Sequence, residues 1–213
     1  QYNNLIRIKG MKHQEHILSI LASSIHDQMP VTEESFIGMY PVELHSKDLF
    51  IAQRAVLEKS PEFRQPIKYA AVRCGNRYAA YRRKPSGSEA GLHGMMSIGF
   101  GGHADVDDLV TNQSVVNLEE TLQRSMVREI EEELDLNGAK VIGFTPITHK
   151  IISNKTPVDS VHIGLVAVVE IDEPIAKAGE NQLDFLGFFT LDELALMENP
   201  ENWTAILIEY LRS

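Results

Sequence analysis

Hydrophobic positions change period twice along the chain, and each change predicts a different kind of element. In residues 13–25, Ile17, Leu21 and Ile25 recur at four-residue spacing, which predicts an amphipathic helix. Residues 36–44 form a short mixed run that suggests a strand. Ser46 is placed to cap a second helix, ending before Ser60-Pro61. From about residue 66 the pattern shortens. Ile67–Cys74 and Arg77–Arg83 read as two strands joined by Gly75-Asn76, a hairpin signal. A Gly/Ser/Pro-rich loop covers Lys84–Gly94, and Met95–Phe100 is a short apolar strand. His103–Asn117 is polar and acidic and reads as a loop. A helix from Leu122 to Leu134 follows, then strands at 139–147, 161–171 and 183–189. Thr190-x-x-Glu193 is a capping box, and Asn199-Pro200 opens a last helix.

Strands on both sides of one central helix predict a mixed α/β, or α+β, fold. Residues 1–65 read as a mostly helical extension, and 66–213 as the main domain. The formal net charge of −10 removes any electrostatic reason to bind duplex DNA or an anionic membrane surface broadly. No apolar run reaches the roughly 18 residues that cross a bilayer. Residues 1–20 mix Lys, Arg, His and Glu among the apolar positions, unlike a signal peptide. The single Cys74 cannot form an internal disulfide, which fits a reducing cytoplasm. It reads as a small strand residue rather than a catalytic thiol.

Chemistry concentrates in the segment from Glu120 to Leu136. Thr121 is a good N-cap, which sets Glu120 just before the helix. At about 100° per residue, Leu122, Met126, Val127, Ile130 and Leu134 share one face, which goes to the core. Glu129, Glu132 and Glu133 are spaced i, i+3, i+4 and share a neighbouring arc. Three carboxylates on one ridge repel each other, and Arg128 alone cannot neutralise them. A hard divalent cation can: magnesium, or manganese in its place, takes oxygen ligands and leaves room for a phosphate. Such an ion shields phosphate charge and lowers the pKa of a bound water. The alternative for Glu131–Glu133 taken alone is a solvated acidic face. The full pattern, a Glu, seven residues, Arg-Glu, an aliphatic, one residue and Glu-Glu, arises by chance in about one window per million or fewer.

This segment resembles the Nudix box, with Glu120, Arg128, Glu129, Ile130, Glu132, Glu133 and Leu136 matching. The resemblance implies a mixed sheet sandwiched between helices and a hydrolase that cleaves a diphosphate linkage. It implies Glu129 and Glu133 as direct metal ligands, with Glu132 a further ligand or a water contact. Glu120 would bind the metal through water or help orient the attacking water, and Arg128 would hold the glutamates in place. Two positions depart from the box: Ser114 and Asp135 stand where glycines are usual. Gly101-Gly102 follows an apolar strand, so an insertion of about twelve residues before Glu120 is the simplest reading, and the Gly101 carbonyl can still serve the metal.

Several further residues carry weaker signals. Arg77, Tyr81 and Arg83 share one strand face and Arg82 the other; Arg82 and Arg83 are candidate phosphate clamps. Glu180 lies in a late Gly/Asn-containing loop, where some Nudix enzymes carry a general base. His103, Asp105, Asp107 and Asp108 in the inserted loop read first as a mobile solvated loop, with an added metal ligand or a substrate contact as the alternative. His162 reads as a core or surface histidine rather than a catalyst, and Tyr69, Tyr78, Phe185 and Phe188 as core packing, with stacking on a nucleobase as the alternative. Ile151, Ile152, Ser153 and Asn154, 15 to 18 residues past the box, lack the Pro or Tyr that resembles the ADP-ribose or dinucleoside-polyphosphate subgroups, and the Cys and His pattern of isopentenyl diphosphate isomerase is missing too. The expectation is a magnesium-dependent cytoplasmic pyrophosphohydrolase acting on a small phosphorylated substrate, a nucleotide derivative. Relatives resembling this chain are often homodimers, though the sequence itself does not give the oligomeric state. The rivals are a catalytically silent nucleotide sensor on the same fold, and an interaction protein whose acidic helix faces solvent.

Overall fold

A computed structural model describes residues 15–29, 36–85, 90–104, 106–113, 115–134, 136, 138–174 and 183–213. Its centre is the long hairpin of β4 (Phe63–Cys74) and β5 (Arg77–Arg83). Gly75 takes φ +59°, which the two-residue turn requires and a side chain disfavours. The sheet runs β12-β5-β4-β11-β10-β2, with β2 spanning Ile37–Tyr40, β10 Val141–Ser153, β11 His162–Ile171 and β12 Leu183–Phe189. β4 and β11 are parallel, while the other neighbours on that path are antiparallel. Two short strands, β6 (Met96–Ser97) and β7 (Gly99–Phe100), wedge the hairpin open beyond its turn: β6 pairs with β5, and β7 with β4.

Alternation along β4 sends its residues to two cores. Ala70 and Val72 face α3 (Leu118–Glu133), whose Met126 and Ile130 are buried against them with Leu165, Ala167 and Val169 of β11. Tyr69 and Ala71 face the other way, towards α5 (Leu191–Ala195) and α6 (Asn202–Arg212), and pack with Leu194, Ile206 and Leu207. Helices therefore cover both faces of a mixed sheet, as expected. Each fully buried Ile or Met contributes about 1.5–3 kcal/mol, and α3 is held in place chiefly by that stripe.

The N-terminal segment corrects the expectation of a mostly helical extension. Its described part holds strands β1 (His16–Leu21), β2 and β3 (Leu49–Gln53), with only short helices α1 (Ala22–His26) and α2 (Arg54–Leu57). β1 pairs with both β3 and β4, so this segment extends the sheet. The four-residue spacing misleads because Ile17, Leu18 and Ile20 are all buried while Leu21 is 44% exposed: the run is covered on both faces. The helix expected after Ser46 is instead a 3-10 turn, β3 and the four residues of α2.

Two helix starts also differ. Asn117, not Thr121, caps α3, accepting from the Glu120 N–H at 3.2 Å. Thr121 is buried and its hydroxyl accepts from the Val110 N–H at 2.9 Å. The last helix begins at Asn202 after Glu201, because Pro200 is engaged in a bridge with Met96. The Thr190–Glu193 capping box is present as expected. Between Gly102 and α3, the inserted stretch is folded: a 3-10 turn at Val106–Asp108 and a small hairpin of β8 (Thr111–Asn112) and β9 (Val115–Val116).

Candidate functional site

The site begins with a lysine on the central strand. Lys68 of β4 is fully buried and points to the α3 side of the sheet. Its Nζ lies 3.2 Å from Glu129 Oε1 on α3 and 3.1 Å from Asp108 Oδ2 in the inserted stretch. Arg128 closes the arrangement, with Nη2 at 2.7 Å from Asp108 Oδ1 and 2.9 Å from Glu129 Oε1. A buried ammonium without partners would cost several kcal/mol; two carboxylates offset that. Burial by itself would raise the Asp108 carboxyl, but Lys68 and then Arg128 outweigh it and hold the group below the usual aspartate range.

Local chain geometry explains how three distant segments meet. Gly101 has φ +136°, and a Cβ there would lie 2.3 Å from the Lys68 carbonyl oxygen. Only glycine allows β7 to run on beside β4 this closely, and the Lys68 N–H then donates to the Gly102 carbonyl at 2.9 Å. The Leu18 N–H donates to Ala104 O at 2.8 Å and Asn117 N–H to Val110 O at 2.8 Å, which fixes both ends of the stretch carrying Asp108. The 3-10 turn then presents the Asp108 carboxylate inward, where it is 6% exposed.

Of the residues singled out from the sequence, Glu129, Arg128 and Gly101 are brought together around Lys68. Arg128 contacts Glu129 at 2.9 Å. Glu132 and Glu133 lie on α3 at the expected i+3 and i+4 positions from Glu129, and their side chains fall outside the described residues, as do Glu180, Ser114, Asp135 and Asp105. Glu120 is not brought to this centre. Because Asn117 starts the helix early, Glu120 sits in its first turn, exposed, with Oε2 accepting from the Asn117 amide at 3.2 Å. It is then about 13.5 Å along the axis and half a turn round from Glu129. Arg82 and Arg83 stand at the other end of the 96–103 segment: Arg82 pairs with Met96 in the ladder and donates to Gly94 O at 2.8 Å, while Arg83 is paired with Glu201 at 2.5 Å. The register separates them from Lys68, which faces Gly102.

Two residues of the cluster escaped the sequence reading. Asp108 reads as solvated because its neighbours are polar, and Lys68 carries no signal beyond a cation inside an apolar strand, Ile67-Lys68-Tyr69-Ala70-Ala71-Val72. That interruption was the available clue, since lysine is almost never fully buried unless paired. The histidine of the inserted loop, His103, meets His162 at 3.3 Å between Nε2 atoms and Gln65 Oε1 at 2.8 Å. That pair lies across the sheet from Lys68. Tyr69 and Tyr78 are buried, as expected of packing residues, and Cys74 is half-buried on β4.

Among the described residues no group of three or more His, Cys, Asp or Glu side chains is gathered for a metal. The donor set still fits a hard cation in part. Both cationic partners of Glu129 contact Oε1, and the carboxylate is 18% exposed, so Oε2 is left for another ligand. No described helix is long and apolar enough to cross a membrane.

No family model matches the chain. It is 29% identical over 167 residues to protein YmaB of Bacillus subtilis (strain 168), covering 75% of this chain and 76% of that protein. The crystal structure of Tm1382, a putative Nudix hydrolase, superposes with a TM-score of 0.69 at 22% identity, covering 92% of this chain and 98% of that one. DR0079 from Deinococcus radiodurans gives a TM-score of 0.46 at 18% identity over 78% of this chain and 95% of its own. With its mixed sheet between helices and its agreement with Tm1382 over almost the full length of both, the chain has the Nudix fold.

Proposed function

We propose that this chain is a divalent-metal-dependent hydrolase that cleaves the diphosphate linkage of a nucleoside diphosphate-type substrate. The observation that carries this reading is the state of Glu129: a half-buried carboxylate on α3, fixed through Oε1 by Lys68 and Arg128 and left with Oε2 for a cation. Glu132 and Glu133 follow it on the same helix, and with Glu129 they are the residues that would hold magnesium or manganese. The Gly101 carbonyl is a further candidate donor, since its segment lies against Lys68. When bound, such an ion supplies charge shielding for the diphosphate and makes a coordinated water more acidic. The chain's own contribution is to hold these oxygens in place before substrate arrives, so little reorganisation remains for the reaction itself. Arg128 serves that role directly, being bonded to Glu129 and to Asp108. Tm1382, the putative Nudix hydrolase whose fold this chain shares, supports the same class of reaction.

The test is a panel of nucleoside diphosphate derivatives incubated with and without magnesium, with product release followed chromatographically. Turnover that needs the metal and drops more than about 100-fold in Glu133→Gln supports the hydrolase. Binding of one of these compounds with no turnover of any would replace it with a nucleotide sensor.

A further inference from the structure

We infer that Lys68 and Asp108 are positioning residues that set how tightly Glu129 takes a divalent cation; this rests on the reading of Glu129 as a metal ligand. Nothing in the box-like segment itself announces either residue. One comes from the central strand and the other from the inserted stretch, and they meet only in the folded chain.

The four groups alternate in sign around their contacts. Lys68 and Arg128 bring two positive charges, Asp108 and Glu129 two negative ones, all within 3.2 Å contacts. Lys68 is 0% exposed, so its charge is neither mobile nor screened by water in the way a surface lysine's would be. Asp108 holds it there: Oδ2 faces Lys68 and Oδ1 faces Arg128. Since Lys68 and Arg128 both contact Oε1 of Glu129, the carboxylate is turned to offer one oxygen rather than two. The fixed ammonium also opposes any cation arriving at Oε2. Glu129 is thereby kept a moderate ligand, and tight capture of a free ion in the absence of substrate is discouraged. Asp108 acts in the opposite sense by offsetting the two basic groups. Charge at this distance is strong enough to matter even at an effective dielectric near 20.

The opposing signs supply the test. Manganese binding to the intact chain is measured by the paramagnetic resonance signal of the free ion, which needs no turnover. Lys68→Met is expected to bind manganese about tenfold more tightly than the parent, and to lose catalytic rate because Glu129 keeps only one of the two groups that orient it. Asp108→Asn is expected to bind it about tenfold more weakly. The double variant removes one charge of each sign and should return to within about threefold of the parent. Lys68→Arg, which keeps the charge, should stay near the parent value. A residue with a purely structural role would weaken binding in every variant. Should Lys68→Met fail to fold, the near-isosteric Asp108→Asn and the double variant decide. Equal or weaker binding in folded Lys68→Met, or unchanged or tighter binding in Asp108→Asn, overturns the inference. If the parent's manganese affinity is unaffected by Glu129→Gln, the ligand reading itself falls, and the inference falls with it.

Discussion

β4 buries two cations four residues apart on the same face, and they are satisfied in opposite ways. At the start of the strand, Arg64 is 2% exposed and spends its Nη1 on three main-chain carbonyls, those of Ser153, Asp159 and His162, at 3.3, 3.1 and 2.8 Å. Burial draws its guanidinium down to about 10, with Asp159 opposing. Lys68, further along, spends its Nζ on two side-chain carboxylates. These carbonyls are fixed by the main chain that carries them, so Arg64 is a pin joining β4, β10 and β11. Carboxylates can exchange one partner for another. The Lys68 end of the strand is therefore tied to side-chain carboxylates, and the Arg64 end to the main chain.

The largest expected effect tests the permanent end. Arg64→Met leaves three carbonyls without their donor, which should cost roughly 3–5 kcal/mol in all and lower the melting temperature by on the order of 10 °C. A variant melting within a couple of degrees of the parent would erase the contrast. Lys68→Met should destabilise less, roughly 1–3 kcal/mol, since Arg128 still serves both carboxylates. Denaturant titration of the two variants side by side ranks them. The smallest effect lies in the acid limb. The folded-state pKa of Asp108 is below its unfolded value, so its stabilising contribution is present above about pH 4 and is lost as pH falls through the lower folded value. Stability of the parent should therefore decline more steeply below about pH 4 than that of Asp108→Asn. Parallel curves from titrations across this range would take Asp108 out of the ion cluster.

What could be read in advance follows from how local each signal is. The Gly75-Asn76 hairpin and the Thr190–Glu193 box are specified within a few residues, and both are present. The apolar stripe of α3 was legible because Met126, Ile130 and Leu134 repeat at helical spacing and are all buried. Its start was not: Asn117 and Thr121 are both competent caps, and the choice was made by the Val110 N–H, which claims the Thr121 hydroxyl from outside the helix. That tertiary contact moved Glu120 into the first turn. The strands before residue 60 were missed for a related reason. Ile17, Leu18 and Ile20 are buried by elements distant in sequence, so neither alternation nor helical spacing marks them. The ion cluster was half legible: Arg128 and Glu129 are neighbours, whereas Lys68 and Asp108 lie 61 and 21 positions before Glu129, and no local pattern joins them.

The hydrogen bond from Leu18 to Ala104, together with the Ser46 hydroxyl donating to Val116 O at 3.0 Å, has a practical consequence for anyone trimming this chain to a minimal unit. A truncation placed where the box-bearing region begins, near residue 66, would discard the clasp on either side of the stretch that delivers Asp108. The shortened protein would keep every box carboxylate yet lose the scaffolding that seats the aspartate beside Lys68.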